Sequence, residues 1–444
     1  QIKHVLKDNF NNYIKGANFQ EALEEFLGKG IFNSDGDLWK HHRKIASNMF
    51  SRNLMRHGTL TAHKQVANVL KYLRNHAGTK EQVNLQDIFF KMTIDIFSEI
   101  AFGVELNSIL STAPHPFAEA FDTVQDRCQK RFKYPQWKVE RFLQSCERER
   151  TITEKVKVIN SFAEKVINSR RRDAENDKNL GPDLLSRFLQ KDDNDNDKNK
   201  NGNKNDEDDP PMTSKQLRDI VMNFMIAGRD TTACALSWTM YELKKNPRCV
   251  AKIIEEVKGV FPTGIGDVDG GEGGGGDDDV DGEGSSSIDK LYSHTHKLKY
   301  THAVVTEALR LHPSVPTDMK FAVDRDVLPD GTVINKGGCV LYSPYAMGRS
   351  FDVWGKDAEE FKPERFLGEG TFEPTAYKYP VFNAGYRLCL GKNLAYLEIK
   401  LALAMILPEF HFGWGEGGEH QGGYQSTLVL PMKPGLVMTV EKRG

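Results

Sequence analysis

What this chain of 444 residues lacks narrows its identity before any motif is read. It has no run of 18 apolar residues, so no membrane-spanning helix lies within it. It has almost no charge imbalance. Its 60 Lys and Arg face 62 Asp and Glu, and a net charge of -2 gives no global pull toward nucleic acid or an anionic surface. Only six cysteines occur (Cys128, Cys146, Cys234, Cys249, Cys339 and Cys389), and none forms a CxxC pair. A disulfide framework is not indicated, and they read as reduced thiols of a cytosol-facing protein. The 13 histidines show no HExxH spacing. No strand–turn–helix unit built around GxGxxG appears either. Gly271–Gly276 is glycine-rich, but it sits in an acidic stretch and is rejected as a phosphate loop. Ile2–Leu6 reads like the interior of a fold, so a further segment is expected ahead of Gln1.

Two stretches lack large apolar residues. Residues 191–211 are Asp, Asn and Lys, and residues 263–287 are Gly, Asp, Glu and Ser with a few small aliphatics. Neither can bury enough surface to offset the entropy of ordering, so both are expected to be disordered insertions. Glycine–aspartate repeats can bind calcium, but no nonapeptide period is present.

The rest of the chain is mainly helical in pattern and, at 39% hydrophobic residues overall, can form a large core. Amphipathic spacing predicts helices over Val83–Gly103, Thr151–Arg172, Leu184–Gln190, Lys297–Leu311 and Ala395–Leu407. A long helix is expected from Lys215 to about Lys245, capped by Thr213 or Ser214 and ended by Pro247. Pro329-Asp330-Gly331 marks a turn between short strands within Ala322–Val340, and Tyr424–Val440 alternates like a strand. The fold class expected is mainly α with minor β sheets.

The chemistry concentrates in Phe382-Asn-Ala-Gly385-Tyr-Arg387-Leu-Cys389-Leu-Gly391. A cysteine between glycines, with a helix following, suits a tight loop that approaches something flat or bulky. A thiolate at a helix N-terminus gains from free N–H groups and the helix dipole. Zinc fits poorly, because no other Cys or His is near. A buried structural cysteine would not explain the glycines and Arg387. Ala227-Gly228-Arg229-Asp230-Thr231-Thr232 puts glycine, acid and hydroxyl into a helix interior, where glycine alone costs about 1 kcal/mol. Glu307-Ala-Leu-Arg310 sets an ion pair on one helix face, Pro363-Glu-Arg365-Phe follows it, and Trp39 and Arg43 share a face at i,i+4.

Together these resemble the cytochrome P450 superfamily, whose FxxGxRxCxG signature the cysteine segment matches at every defining position. The resemblance implies the P450 fold, a single catalytic domain over 1–444 lacking its N-terminus, and non-covalent haem b. It assigns Cys389 as axial iron ligand, with Phe382, Gly385, Arg387 and Gly391 around it. Trp39 and Arg43 would hold one haem propionate and Arg387 the other, while His42 is expected at the surface. Gly228 would line an oxygen-binding groove, Thr231 would support the hydrogen bonds around dioxygen, and Asp230 would relay protons. Glu307, Arg310 and Arg365 would form a structural triad locking the loop that leads to the cysteine. Partners implied are O2, an apolar substrate and NADPH–cytochrome P450 reductase, at the cytosolic face of the endoplasmic reticulum membrane through an anchor ahead of this chain. Without the sheet strands expected there, the chain alone is expected to fold poorly or hold haem weakly.

The wording around Pro313–Lys320, Asp326–Gly331, Tyr345–Arg349 and Trp354-Gly resembles the plant-type fatty-acid ω-hydroxylase clan. Ala227 stands where animal ω-hydroxylases carry a haem-esterifying Glu, so no covalent haem link is expected. The alternatives are a thiolate-haem enzyme of lipid hydroperoxides, which the intact Asp230-Thr231 pair disfavours, and a non-catalytic haem-binding protein.

Overall fold

The computed structural model describes the chain except for residues 112–114, 176–182, 184, 187–211, 267–286, 369–374, 417, 419–421 and 426. The expected insertion at 191–211, nearly all of that at 263–287, and most of the helix expected over Leu184–Gln190 therefore lie outside the described residues.

Helices of eight residues or more are numbered α1 to α11. They are α1 (Gly36–Met49), α2 (Arg52–His76), α3 (Leu85–Phe102), α4 (Pro116–Lys130) and α5 (Glu147–Glu175), then α6 (Ser214–Met225), α7 (Thr231–Lys245), α8 (Pro247–Val260), α9 (Ser287–Lys297), α10 (Lys299–Leu311) and α11 (Lys392–Ile406). Strands are short. β1 (Tyr13–Ile14), β3 (Asp318–Ala322) and β6 (Cys339–Tyr342) form one antiparallel sheet in the order β1-β3-β6. β2 (Val83–Asn84), β8 (Val437–Lys442) and β7 (Phe410–Trp414) form another, in the order β2-β8-β7. β4 (Asp326–Val327) and β5 (Val333–Ile334) make a hairpin across the Pro329–Gly331 turn.

Local chemistry explains the boundaries. Thr213 and Gln216 form a reciprocal capping box at the start of α6. The expected long helix is present but changes register: Ile226–Asp230 is a π-turn between α6 and α7. Pro247 ends α7 by opening α8 at its first position. Two expectations are corrected. The helix predicted over Lys297–Leu311 starts at Lys299, because Leu298 breaks it from α9 with φ -70° and ψ 84°. Of Tyr424–Val440, only the part from Val437 is strand, apart from a bridge between Tyr424 and Met432.

One continuous core joins α2, α3, α6, α7, α10 and α11. α7 runs through its middle, with Trp238 fully buried, stacked on His312 at 4.1 Å and donating its indole N–H to the Leu430 carbonyl at 2.8 Å.

Candidate active site

Cys389 lies where a folded-back loop becomes α11. The turns Pro380–Phe382 and Gly385–Arg387 reverse the chain, and the Cys389 N–H closes the loop on the Phe382 carbonyl at 2.8 Å. Gly385 has φ +63°, and a Cβ there would stand 2.0 Å from the Leu6 carbonyl oxygen. Only glycine lets the loop close against the N-terminal segment. Gly391 is an open position, with the Phe50 ring and the Cys389 sulfur at ordinary contact distance from where its Cβ would be.

Burial pushes the Cys389 thiol up, against the N–H groups of Gly391 and Lys392 and the charges of Arg43 and Lys392. Yet Cys389 is exposed. Both are true if the sulfur lines an internal opening rather than the outer face. The donors expected at a helix N-terminus are there, but burial outweighs them, and a metal cation at the sulfur would supply the missing charge. Among the described residues no three His, Cys, Asp or Glu gather as a metal site, so the sulfur stands alone as a ligand. All six cysteines are free thiols.

Charged groups rim this opening. Arg43 on α1 donates to the Leu388 carbonyl. Arg387 lies over the Trp39 ring at 4.6 Å and donates to the Ser34 carbonyl and to Asp35, each at 2.9 Å. Its Nε is buried without a partner, leaving a donor for an incoming anion. Trp39 is buried beneath it, with the Phe10 ring at 5.3 Å. His42, expected at the surface, is buried on α1, and burial beside His41 lowers its pKa to about 4.

The sequence reading missed four members of this group: Lys15, Asp35, Asp318 and Lys320. Asp35 accepts from Lys15 N, Gly16 N, Gln20 and Arg387. Asp318 on β3 accepts from Lys15 at 2.7 Å, Lys320 at 2.9 Å and the Tyr342 hydroxyl at 2.8 Å. Burial alone would raise the Asp318 carboxyl, but Lys15 and Lys320 hold it well below the usual carboxylate range. Burial in turn draws Lys320 down to about 7. Lys15, Arg387 and Arg43, whose charge is felt at Arg387, thus outnumber the two carboxylates even where Lys320 is neutral, and the surplus is positive. A flat group carrying carboxylates at its edge, as haem does, matches an opening with one thiol on its wall and surplus cations on its rim.

The second candidate segment lies on the α6–α7 helix. From residue 219 to 243 every residue is buried except Ala227, Gly228 and Thr231, all in or next to the π-turn. The helix is therefore open on one short face. Thr231 donates to the Ala227 carbonyl at 2.7 Å. A Cβ on Gly228 would lie 1.9 Å from the Phe97 ring, so packing against α3 already requires glycine there. Asp230 is buried, and burial, opposed by Arg229, raises its pKa to about 7. α7 and α11 pack together, with Thr232 hydrogen-bonded to Glu398, whose carboxyl burial pushes up to about 8.

Glu307, Arg310 and Arg365 meet. Arg310 reaches both Glu307 oxygens, at 2.6 and 2.8 Å, and Arg365 reaches one at 3.0 Å. Arg310 also donates to the carbonyls of Gly348, Ala358 and Glu360, and Arg365 to Asp357. The network fastens the segment 348–366 to α10.

Comparison with known proteins identifies the family. The cytochrome P450 family model matches residues 1–438. Cytochrome P450 704B1 of Arabidopsis thaliana is 37% identical over all of this chain and 85% of its own length. Cytochrome P450 94A1 of Vicia sativa is 34% identical over all of this chain and 80% of its own length. Cytochrome P450 704C1 of Pinus taeda is 35% identical, with 83% of its length covered. A family match over nearly the whole chain, with relatives above 30% identical along all of it, makes this chain a member of the cytochrome P450 family, an oxidoreductase that binds haem b non-covalently through a cysteine thiolate.

Proposed function

We propose that this P450 hydroxylates medium- or long-chain fatty acids at or near the ω carbon, using O2 and electrons from NADPH–cytochrome P450 reductase at the cytosolic face of the endoplasmic reticulum membrane. Haem supplies the oxygen-activating and electron-accepting chemistry when bound. Cys389 is the residue to hold its iron. Trp39, Arg43 and Arg387 would hold its carboxylates, with Lys15 and Lys320 adding positive charge.

The observation that carries monooxygenation is the opening at Ala227, Gly228 and Thr231, with Asp230 buried beside it. Thr231 presents a hydroxyl already anchored to the Ala227 carbonyl. Asp230, with a pKa near 7, can hold or release a proton at neutral pH. An enzyme that only rearranges hydroperoxides needs no such proton supply. The fatty-acid reading rests on the segments 313–331 and 345–355, whose wording resembles that clan.

The test is reconstitution with reductase and NADPH, offering lauric and oleic acids and identifying products by mass spectrometry. The expected outcome is ω or near-ω alcohol, formed only with NADPH. Product formed only from a fatty-acid hydroperoxide would overturn the reading. Replacing Cys389 with Ser is expected to abolish the far-red-shifted Soret band of the reduced carbon monoxide complex.

A further inference from the structure

Arg229 is a charged residue inside the core that none of the roles above uses. Its side chain is 5% exposed, and it lies between the rings of Phe90 on α3, at 5.0 Å, and Phe121 on α4, at 5.5 Å. A cation there is costly unless it is paired. Its Nη1 is shared by two carboxylates: Asp230 next to it, at 3.0 Å, and Asp122 on α4. Its Nη2 donates to the second Asp122 oxygen at 3.0 Å, while its Nε has no partner. Asp230 is 2% exposed and Asp122 is 56% exposed. One guanidinium thus ties the buried acid of the site to an acid at the surface of a different helix.

We propose that Arg229 is a positioning residue that divides its charge between Asp122 and Asp230, so that the seating of α4 sets how readily Asp230 takes and gives a proton. The proposal rests on the reading of Asp230 as the proton-handling acid and deepens it.

When α4 is seated, Asp122 draws part of the cation's field and adds its own negative charge, and both effects favour the protonated form of Asp230. When Asp122 withdraws, the guanidinium turns wholly to Asp230 and holds it ionised. No bond between heavy atoms changes. A proton moves between the Asp230 carboxyl and the opening, and Arg229 keeps its own charge throughout, because its pairing with the two carboxylates outweighs its burial. The other groups facing Asp230 are the Gln125 amide on α4 and the Cys234 thiol one turn along α7. Cys234 is buried and stays neutral, so neither can replace the pair.

The test uses the haem-loaded enzyme with reductase. It follows the fraction of NADPH electrons that reach product across pH 5.5–9, together with the infrared band of the protonated Asp230 carboxyl, identified by its loss in Asp230→Asn. Asp122→Asn is expected to move both the alkaline limb and the carboxyl titration to lower pH by about 1 unit, the shift typical of losing a like charge within a few ångströms. Asp122→Glu should restore the wild-type position. Arg229→Gln, which removes the cation, should move both to higher pH. Shifts in the same direction, or no shift in Asp122→Asn while Asp230→Asn still uncouples the enzyme, would overturn the proposal alone. If Asp230→Asn leaves coupling unchanged at every pH, the reading of Asp230 itself falls. Should Arg229→Gln fail to fold, Asp122→Asn against Asp122→Glu still decides, because Asp122 is at the surface.

Discussion

Arg310 and Arg229 each lie between carboxylates inside the protein, yet one network is closed and the other is open. Every N–H of Arg310 has an acceptor: two Glu307 oxygens and the carbonyls of Gly348, Ala358 and Glu360. Arg310 and Glu307 are both fully buried. Arg229 leaves its Nε–H without an acceptor, splits the two N–H groups of Nη1 between two acids, and ends at a half-exposed carboxylate. A saturated network cannot change partner without losing several bonds at once, so it fixes shape. An unsaturated one can redistribute its charge, so it can carry a response. The molecule uses the first to hold the segment 348–366 and places the second beside Asp230, the acid proposed to handle protons.

Breaking the closed network should have the largest effect. Glu307→Ala leaves the fully buried Arg310 without a carboxylate, while Arg365 keeps Asp357, and removing one member of a buried pair costs about 3–5 kcal/mol. The expected result is loss of folded, haem-containing protein, or a matching fall in denaturation midpoint. If Glu307→Ala cost less than the exposed-site Asp122→Asn, the contrast between the two networks would be wrong.

Next in size is Gly385→Ala, which meets both a left-handed φ and the Leu6 carbonyl. A cost of about 1–3 kcal/mol is expected for such strain, read as reduced haem content at equal protein.

Glu398 gives a smaller effect that depends on pH. It is buried against Thr232 and ionises only near pH 8 when folded, against an ordinary 4.5. Between those values the folded state keeps a proton that the unfolded chain has lost, so stability falls as pH rises from about 4.5 to about 8 and then levels. Glu398→Gln should flatten that decline in thermal unfolding followed across pH.

The smallest change is Asp122→Asn. Arg229 keeps Asp230 as a partner, so thermal unfolding at neutral pH is expected to move by about 1 kcal/mol, the upper range for a partly exposed ion pair, while the pH limb of coupling moves.

What the sequence revealed and what it hid divide along sequence separation. Glu307 and Arg310 are one helical turn apart and pair as that spacing implies. The Thr213 cap placed the start of α6, and the proline and glycine signals placed the end of α7 and the β4–β5 turn. Trp39, Arg43 and Arg387 were named from the sequence, but the acids and lysines around them were hidden, because Arg387 meets Asp35 across 352 residues and Lys15 meets Asp318 across 303. No local periodicity reports such contacts. The π-turn was half visible. Gly228, Asp230 and Thr231 looked wrong for a helix interior, but the extra residue in the turn leaves no composition of its own. Gly228 was read as a groove residue, and the ring of Phe97, more than a hundred positions earlier, could not be seen.

The first fourteen residues have a role unlike either network. His4, Asn9 and Tyr13 converge on Asp326 at 2.8, 3.0 and 2.7 Å, and the turn carrying Leu6 rests directly on Gly385. They form a buttress, pinned to the hairpin on one side and wedged behind the thiol loop on the other. A protease that severed the backbone just past β1 would spare every group that touches pigment, yet it would bleach the enzyme by letting that loop spring back.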